Sequence, residues 1–141
     1  MDNNEIRIRG TLVADPSRRV VADGARVTSF RLASNTRRLD RGTNEWVNAE
    51  SLFITVNCWR QLADNAFISL HRGDVVEVRG RLKQREYDDA NGKHVTSYEV
   101  EAYFVGPDML RYVVSLSKPH RELPAVPEQA QDKDAVQEPA A

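Results

Sequence analysis

The chain has 141 residues, 40% of them hydrophobic and 29% charged, with a formal net charge of −1. That suits one globular domain with room for a short tail, and no apolar run approaches the ~20 residues that a membrane-spanning helix needs. The opening MDNNEIRIRG lacks the basic and then apolar order of a secretory signal, so a cytoplasmic location is expected, and the lone Cys58 excludes an internal disulfide.

In chain order, Ile6, Ile8 and Leu12 alternate with Arg7, Arg9 and Thr11, the period-2 pattern of a half-buried strand. Asp15-Pro16 and Asp23-Gly24 mark turns, with a short extended stretch between them. Residues 27–34, VTSFRLAS, predict a second strand, with Phe30 and Leu32 on one face and Ser29 and Arg31 on the other. The polar, Arg-rich stretch 37–48 reads as a loop, and 51–59, SLFITVNCW, as the third strand. Over residues 60–71 the period changes, and Leu62, Ala63, Ala66, Phe67 and Leu70 fall on one helical face. Arg72-Gly73-Asp74 stops that helix, and a long strand runs from Val75 to about Tyr87. A hairpin loop over 88–93 and a return strand over roughly 94–105 follow. Five strands with a single helix between the third and fourth predict an all-β chain, a five-stranded Greek-key barrel of the OB type.

Residues 110–117, LRYVVSLS, alternate well enough for one more strand, but a closed barrel offers it no partner, which points to a neighbouring subunit. From Leu123 the chain turns to Pro, Ala, Gln and acids without aromatics, so 122–141 is expected to be a disordered tail. The expected division is 1–110 barrel, 111–121 extra strand or clamp, and 122–141 tail.

Two strands carry the chemistry. In 51–59, Leu52, Ile54, Val56 and Cys58 point inward, leaving Phe53, Thr55, Asn57 and Trp59 on the outer face. Aromatics mixed with small polar residues are odd on a solvent face. Either they stack on a ligand, or they lie under the helix or in a subunit interface. In 75–87 the outward positions read Arg79, Arg81, Lys83, Arg85 and Tyr87, with Glu77 alone breaking the run. Such a ladder gains little unless an anion lies across it, and a ladder ending in an aromatic has the composition of a groove for single-stranded nucleic acid. A duplex reader would need a helix or ribbon for the major groove, and the one helix has no basic face. Arg37, Arg38 and Arg41 lie in the 37–48 stretch, where Trp46 either stacks on a base or pins the loop. Residues 1–121 hold 19 Lys/Arg against 16 Asp/Glu, while residues 122–141 hold one Lys against five acids, so a mildly basic body precedes an acidic end. Arg outnumbers Lys 16 to 4, and Arg can stack on bases as well as contact phosphates.

Neither GxxxxGK nor GxGxxG occurs, and His71, His94 and His120 have no metal-ligand spacing with Cys58 or with carboxylates. No metal, cofactor or enzymatic activity is therefore expected. Cys58 reads as a buried, reduced thiol, with an intersubunit disulfide as the alternative.

Taken together, the Asp15-Pro16 turn, FRLASN (30–35), NEW (44–46), SLFITVNCWRQLADNA (51–66), RGDVVEVRGRLKQREY (72–87) and VGPDM (105–109) resemble the bacterial single-stranded DNA-binding proteins. RGRLKQREY and VNCWRQLA are most similar to actinobacterial members. The resemblance implies an OB-fold, a homotetramer built as a dimer of dimers, and single-stranded DNA wrapped over aromatics and cations. It places Phe53, Trp59 and Tyr87 at stacking positions and Arg19, Arg38 and Arg85 at or beside backbone-contacting ones. Two departures stand out. Arg38-Leu39 replaces an aromatic usual in the family's loop, and the ending VQEPAA lacks the acidic, aromatic-closed tip that recruits partner enzymes. The resemblance therefore implies a secondary member acting in replication, repair or recombination without that route of recruitment. It also implies that LRYVVSLS clasps an adjacent subunit.

Overall fold

A computed structural model describes residues 4–119. Its elements are β1 (Glu5–Leu12), β2 (Ser17–Val20), β3 (Arg26–Asp40), β4 (Glu45–Trp59), α1 (Arg60–Ser69), β5 (Val75–Asp88) and β6 (His94–Pro107). β1 pairs antiparallel with β5 along its length and with β3 at its end, through Thr11↔Ala33 and Leu12↔Leu32. β3 pairs with β4, β4 runs parallel to β6 over Thr55–Asn57, and β6 returns to β5. The circuit β1–β3–β4–β6–β5 closes the five-stranded barrel, and α1 sits between its third and fourth strands, as an OB-fold requires. No helix among the described residues is long and apolar enough to cross a membrane.

Alternate positions of every barrel strand meet inside. Leu12, Phe30, Leu32, Ile54, Val56, Cys58, Val76, Val78 and Val100 form one buried cluster that also takes in Ala63, Ala66 and Leu70 from α1 and its end. Each large side chain so buried contributes about 1.5–3 kcal/mol. The small Ala63 and Ala66 let the helix lie close to the strands. The buried Thr28 hydroxyl donates to the Ala63 carbonyl at 2.7 Å, tying α1 to β3.

A second tie is ionic. Asp64 of α1 accepts from Arg26 Nε at 2.8 Å, and Arg18 lies 3.5 Å away. The Arg26 hydrogen bond, helped by the charges of Arg26 and Arg18, holds the Asp64 carboxyl below its usual range. A carboxylate depressed in the folded state adds stability above its unfolded pKa and loses it as pH falls through the folded value. Asp64→Asn is therefore expected to melt a few degrees below the parent at neutral pH, and the gap should close below roughly pH 4. Paired thermal melts from neutral to acid pH check this, and a gap independent of pH would remove the ionic explanation.

Three expectations change, those for residues 37–48, for Leu52 and for Phe67. Residues 37–48 are not a loop but the outer arms of a β3–β4 hairpin, paired from Arg37↔Asn48 to Asp40↔Glu45. Its turn is closed by Asn44 N–H to the Asp40 carbonyl, with Asn44 in the left-handed region at φ 61, which Asn tolerates. The extended stretch after Pro16 is a strand in its own right, β2, paired with the start of β3. Leu52 keeps the inward phase but is exposed, because it lies on the arm beyond the barrel end, and Phe67 turns partly outward beneath the Arg18 guanidinium. As the closure of the barrel implies, residues 112–119 pair with no strand within the single chain. They follow an anchored corner, where Tyr112 Oη accepts from the Val75 N–H and Asp108 meets Arg9 and Arg111. The expected tail, 122–141, lies outside the described residues.

Candidate nucleic-acid interface

β4 presents Phe53, Thr55, Asn57 and Trp59 opposite the buried Ile54, Val56 and Cys58, as the two-residue period demands. Phe53 is 50% exposed, and Arg31, across from Thr55 in the β3 register, places its guanidinium 5.5 Å from the ring centre. Tyr87, near the tip of the β5–β6 hairpin, is 43% exposed and carries Arg85 in the same way at 5.5 Å. Each pair is a cation–π contact that leaves a positive group beside a ring able to stack on a base.

Trp59 occupies the junction of β4 and α1. It is the N-cap of the helix, with extended backbone and no side-chain capping bond, where Ser, Thr, Asp or Asn would be worth about 1 kcal/mol. The next residue, Arg60, is left-handed at φ 58, a conformation costing about 1–2 kcal/mol in a non-glycine residue. Two local preferences are thus given up where the half-buried indole sits, as at functional sites.

Beneath these rings lies a continuous polar network. Asn57 is only 6% exposed. It accepts from the Ser29 hydroxyl at 2.7 Å and donates to Glu99 at 2.7 Å and Glu101 at 2.8 Å. Glu101 also accepts the Trp59 indole N–H at 2.7 Å, Glu99 accepts from Arg85 at 3.4 Å, and Arg19 donates to Ser29 at 3.2 Å. The network gathers Arg19, Asn57, Trp59 and Arg85 of the expected set. Asn57 is an interior strut rather than an open contact.

Glu99, Glu101 and Ser29 were not among the expected site residues. The alternation of Glu99 and Glu101 with the inward Val100 and Ala102 already places both acids outside the barrel. Nothing in the sequence places them beside β4.

The basic ladder is also less bare than its sequence implies. The anions lying across it come from the chain itself. Arg81 stands opposite Glu101 and Lys83 opposite Glu99 in the β5–β6 register, and Glu77 pairs with Arg79 at 3.0 Å. Arg79 lies lower on β5, opposite Arg7 of β1, with its guanidinium 4.9 Å over Phe104. It is thus not joined to the Trp59 network by any of these bonds.

Arg38 and Trp46 lie on the β3–β4 arms. Trp46 is 61% exposed opposite Leu39, and Arg37 donates to its carbonyl at 3.3 Å. Cys58 is free and fully buried in the barrel, its thiol pushed up to about 12 by burial and then by the charge of Glu101. A side chain enclosed in this way cannot reach a second chain, which removes the intersubunit disulfide. Among the described residues no group of His, Cys, Asp and Glu could hold a metal ion.

The model of a family described as "Single-strand binding protein family" matches residues 3–107. The single-stranded DNA-binding protein of Corynebacterium glutamicum is 47% identical over 107 residues, which cover 76% of this chain and 48% of that protein. "Single-stranded DNA-binding protein 2" of Streptomyces coelicolor is 46% identical over 113 residues, covering 80% of this chain and 57% of the relative. The chain thus spans about half the length of these curated relatives. Among solved structures, the small single-stranded DNA-binding protein of Streptomyces coelicolor matches with a TM-score of 0.68 and 37% identity, over 79% of this chain and 100% of that one. The second such protein of Mycobacterium smegmatis (SSBb) matches with a TM-score of 0.60 and 34% identity, over 82% and 98%.

Proposed function

The chain belongs to the single-strand binding protein family, and from that premise we propose that it binds single-stranded DNA without marked sequence preference. The observation that carries this reading is the set of rings on the outer surface: the exposed Phe53 and Tyr87, each with an Arg beside it, and the half-buried Trp59 at a junction that gives up two local preferences. Every base has a face that stacks, so such a surface grips a strand without reading it. Arg19, Arg31, Arg38 and Arg85 flank the rings as phosphate partners, with Thr55 beside them, Asn57 supporting them from within, and Trp46 as a further platform on the hairpin arm. Arg79, Arg81 and Lys83 extend the path along β5.

Stacking is the larger part of the affinity in this reading, because Glu77, Glu99 and Glu101 already neutralise part of the ladder. The protein acts as a binder that protects exposed strands, not as a catalyst. Likeness to the small and second proteins of Streptomyces and Mycobacterium supports a secondary role beside a longer family member. A homotetramer in the cytoplasm, associated with the nucleoid, fits the family. In it the exposed Leu110, Val113 and Leu116 would be covered by a neighbouring subunit. Light scattering should then give about four times the 16.0 kDa chain mass.

The deciding experiment is a titration of intrinsic tryptophan fluorescence with oligo(dT) at low and high salt. Saturable quenching that weakens only modestly with salt is expected, since few counterions are released. Absence of binding at low salt would overturn the reading and leave the aromatic face to a protein partner.

A further inference from the structure

An acid on a surface that binds a polyanion repels the ligand, so Glu101 calls for a physical reason. Its carboxylate leaves β6 and reaches the neighbouring strand, where Oε1 accepts the Trp59 indole N–H at 2.7 Å. The other oxygen, Oε2, is held by Asn57 Nδ2 at 2.8 Å. Asn57 is in turn almost fully buried and fixed by Ser29 and Glu99. Both ends of the carboxylate are thus tied to β4, at the strand end where the left-handed Arg60 sets the direction of the chain. A ring held by its polar edge loses little freedom when a base stacks on its face, which lowers the ordering cost of binding. We infer that Glu101 is a positioning residue for base stacking by Trp59, acting through the indole N–H. The inference rests on the reading of Trp59 as a stacking platform.

Charge and positioning predict opposite signs. If Glu101 acts on DNA only through its charge, removing that charge tightens binding whether Ala or Gln replaces it. If it positions Trp59, Glu101→Ala weakens binding, while Glu101→Gln keeps a carbonyl acceptor for the indole and restores part of the affinity, its amide NH2 now meeting the Asn57 Nδ2 donor. The full chain is titrated with oligo(dT) as Glu101→Ala and Glu101→Gln, each also in a Trp59→Phe background that has no N–H to hold. Glu101→Ala is expected to weaken binding about tenfold with Trp59 present and less than about twofold with Phe at that position. Should the alanine variant unfold, Glu101→Leu fills the space without accepting a hydrogen bond and takes its place.

A second readout needs no DNA. In a Trp46→Phe chain Trp59 is the sole tryptophan, since the sequence has two. There Glu101→Ala should lower its fluorescence anisotropy and raise its quenching by acrylamide, and Glu101→Gln should do both to a smaller extent. Equal weakening in both Trp59 backgrounds, tighter binding by both variants, or an unchanged anisotropy would overturn the inference. Failure of the unsubstituted chain to bind oligo(dT) would instead bring down the DNA reading, while the anisotropy would still report whether Glu101 holds the ring.

Discussion

Trp59→Ala is expected to weaken oligo(dT) binding by roughly 10- to 100-fold at fixed salt, the range that loss of one stacked base spans. Three features single out this ring. It ends β4 at the junction where the helix goes without a capping side chain, its N–H is held by Glu101, and it sits over the Asn57 network rather than on a hairpin arm. Because no cation is removed, the slope of log affinity against log salt should stay close to that of the parent. Arg85→Ala should show the reverse pattern, a smaller loss at low salt and a shallower slope. Trp59→Phe separates the ring face from the N–H, since it keeps an aromatic surface and loses only the Glu101 bond. Fluorescence anisotropy of labelled oligo(dT) at several salt concentrations measures all three. Parental affinity in Trp59→Ala would remove the central platform and with it the stacking account.

Gly80→Ala should have the largest effect on stability, lowering the melting temperature by about 10–20 °C, equivalent to roughly 3 kcal/mol. Gly80 is buried on β5 between Ile6 of β1 and Ala102 of β6, beside the irregularity where Tyr103 is left out of the pairing. A Cβ there would lie 2.8 Å from Ala102 Cα and 2.9 Å from the Glu101 carbonyl carbon. Both are backbone atoms, and β6 cannot draw back because Val100 is paired with Val56 on its other side. The requirement is space, not an unusual backbone angle. Gly24 is the contrast: at φ 89 with nothing within 4 Å of a new Cβ, alanine meets only the conformational cost, about 1 kcal/mol. Since Glu101 is the residue displaced, Gly80→Ala should also loosen Trp59 in whatever fraction stays folded. Circular dichroism melts of the two glycine variants decide the matter, and equal melting points would show that β6 gives way at Gly80.

The parts of this chain legible in its sequence are those where one face of an element is buried and the other is not. Ile54, Val56 and Cys58 alternate with Phe53, Thr55, Asn57 and Trp59, and a one-residue slip would exchange the two sets. The phase of β4, and with it the outward display of the aromatics, therefore follows from composition along a single strand. The change of period at residues 60–71 marked the helix for the same reason, although Phe67 shows that a helical face is wider than the patch it buries. The arms of the β3–β4 hairpin leave no such pattern because solvent reaches both of their faces. Arg37, Arg38, Trp46 and Val47 carry no apolar alternation, and only cross-strand pairing makes them strands.

The sequence by itself thus determined the barrel, its helix and which side chains face outward, since these depend on local periods of two and 3.6 residues. Only the tertiary structure decided what those side chains meet. Asn57 reaches Glu99 and Glu101 across separations of 42 and 44 residues, and it does so because barrel closure lays β6 parallel to β4. A cation ladder read along β5 looks unopposed, yet closure sets an acid across from Arg81 and Lys83. Charge and hydrogen-bond partners act through space, and no period along the chain encodes which distant strand will supply them.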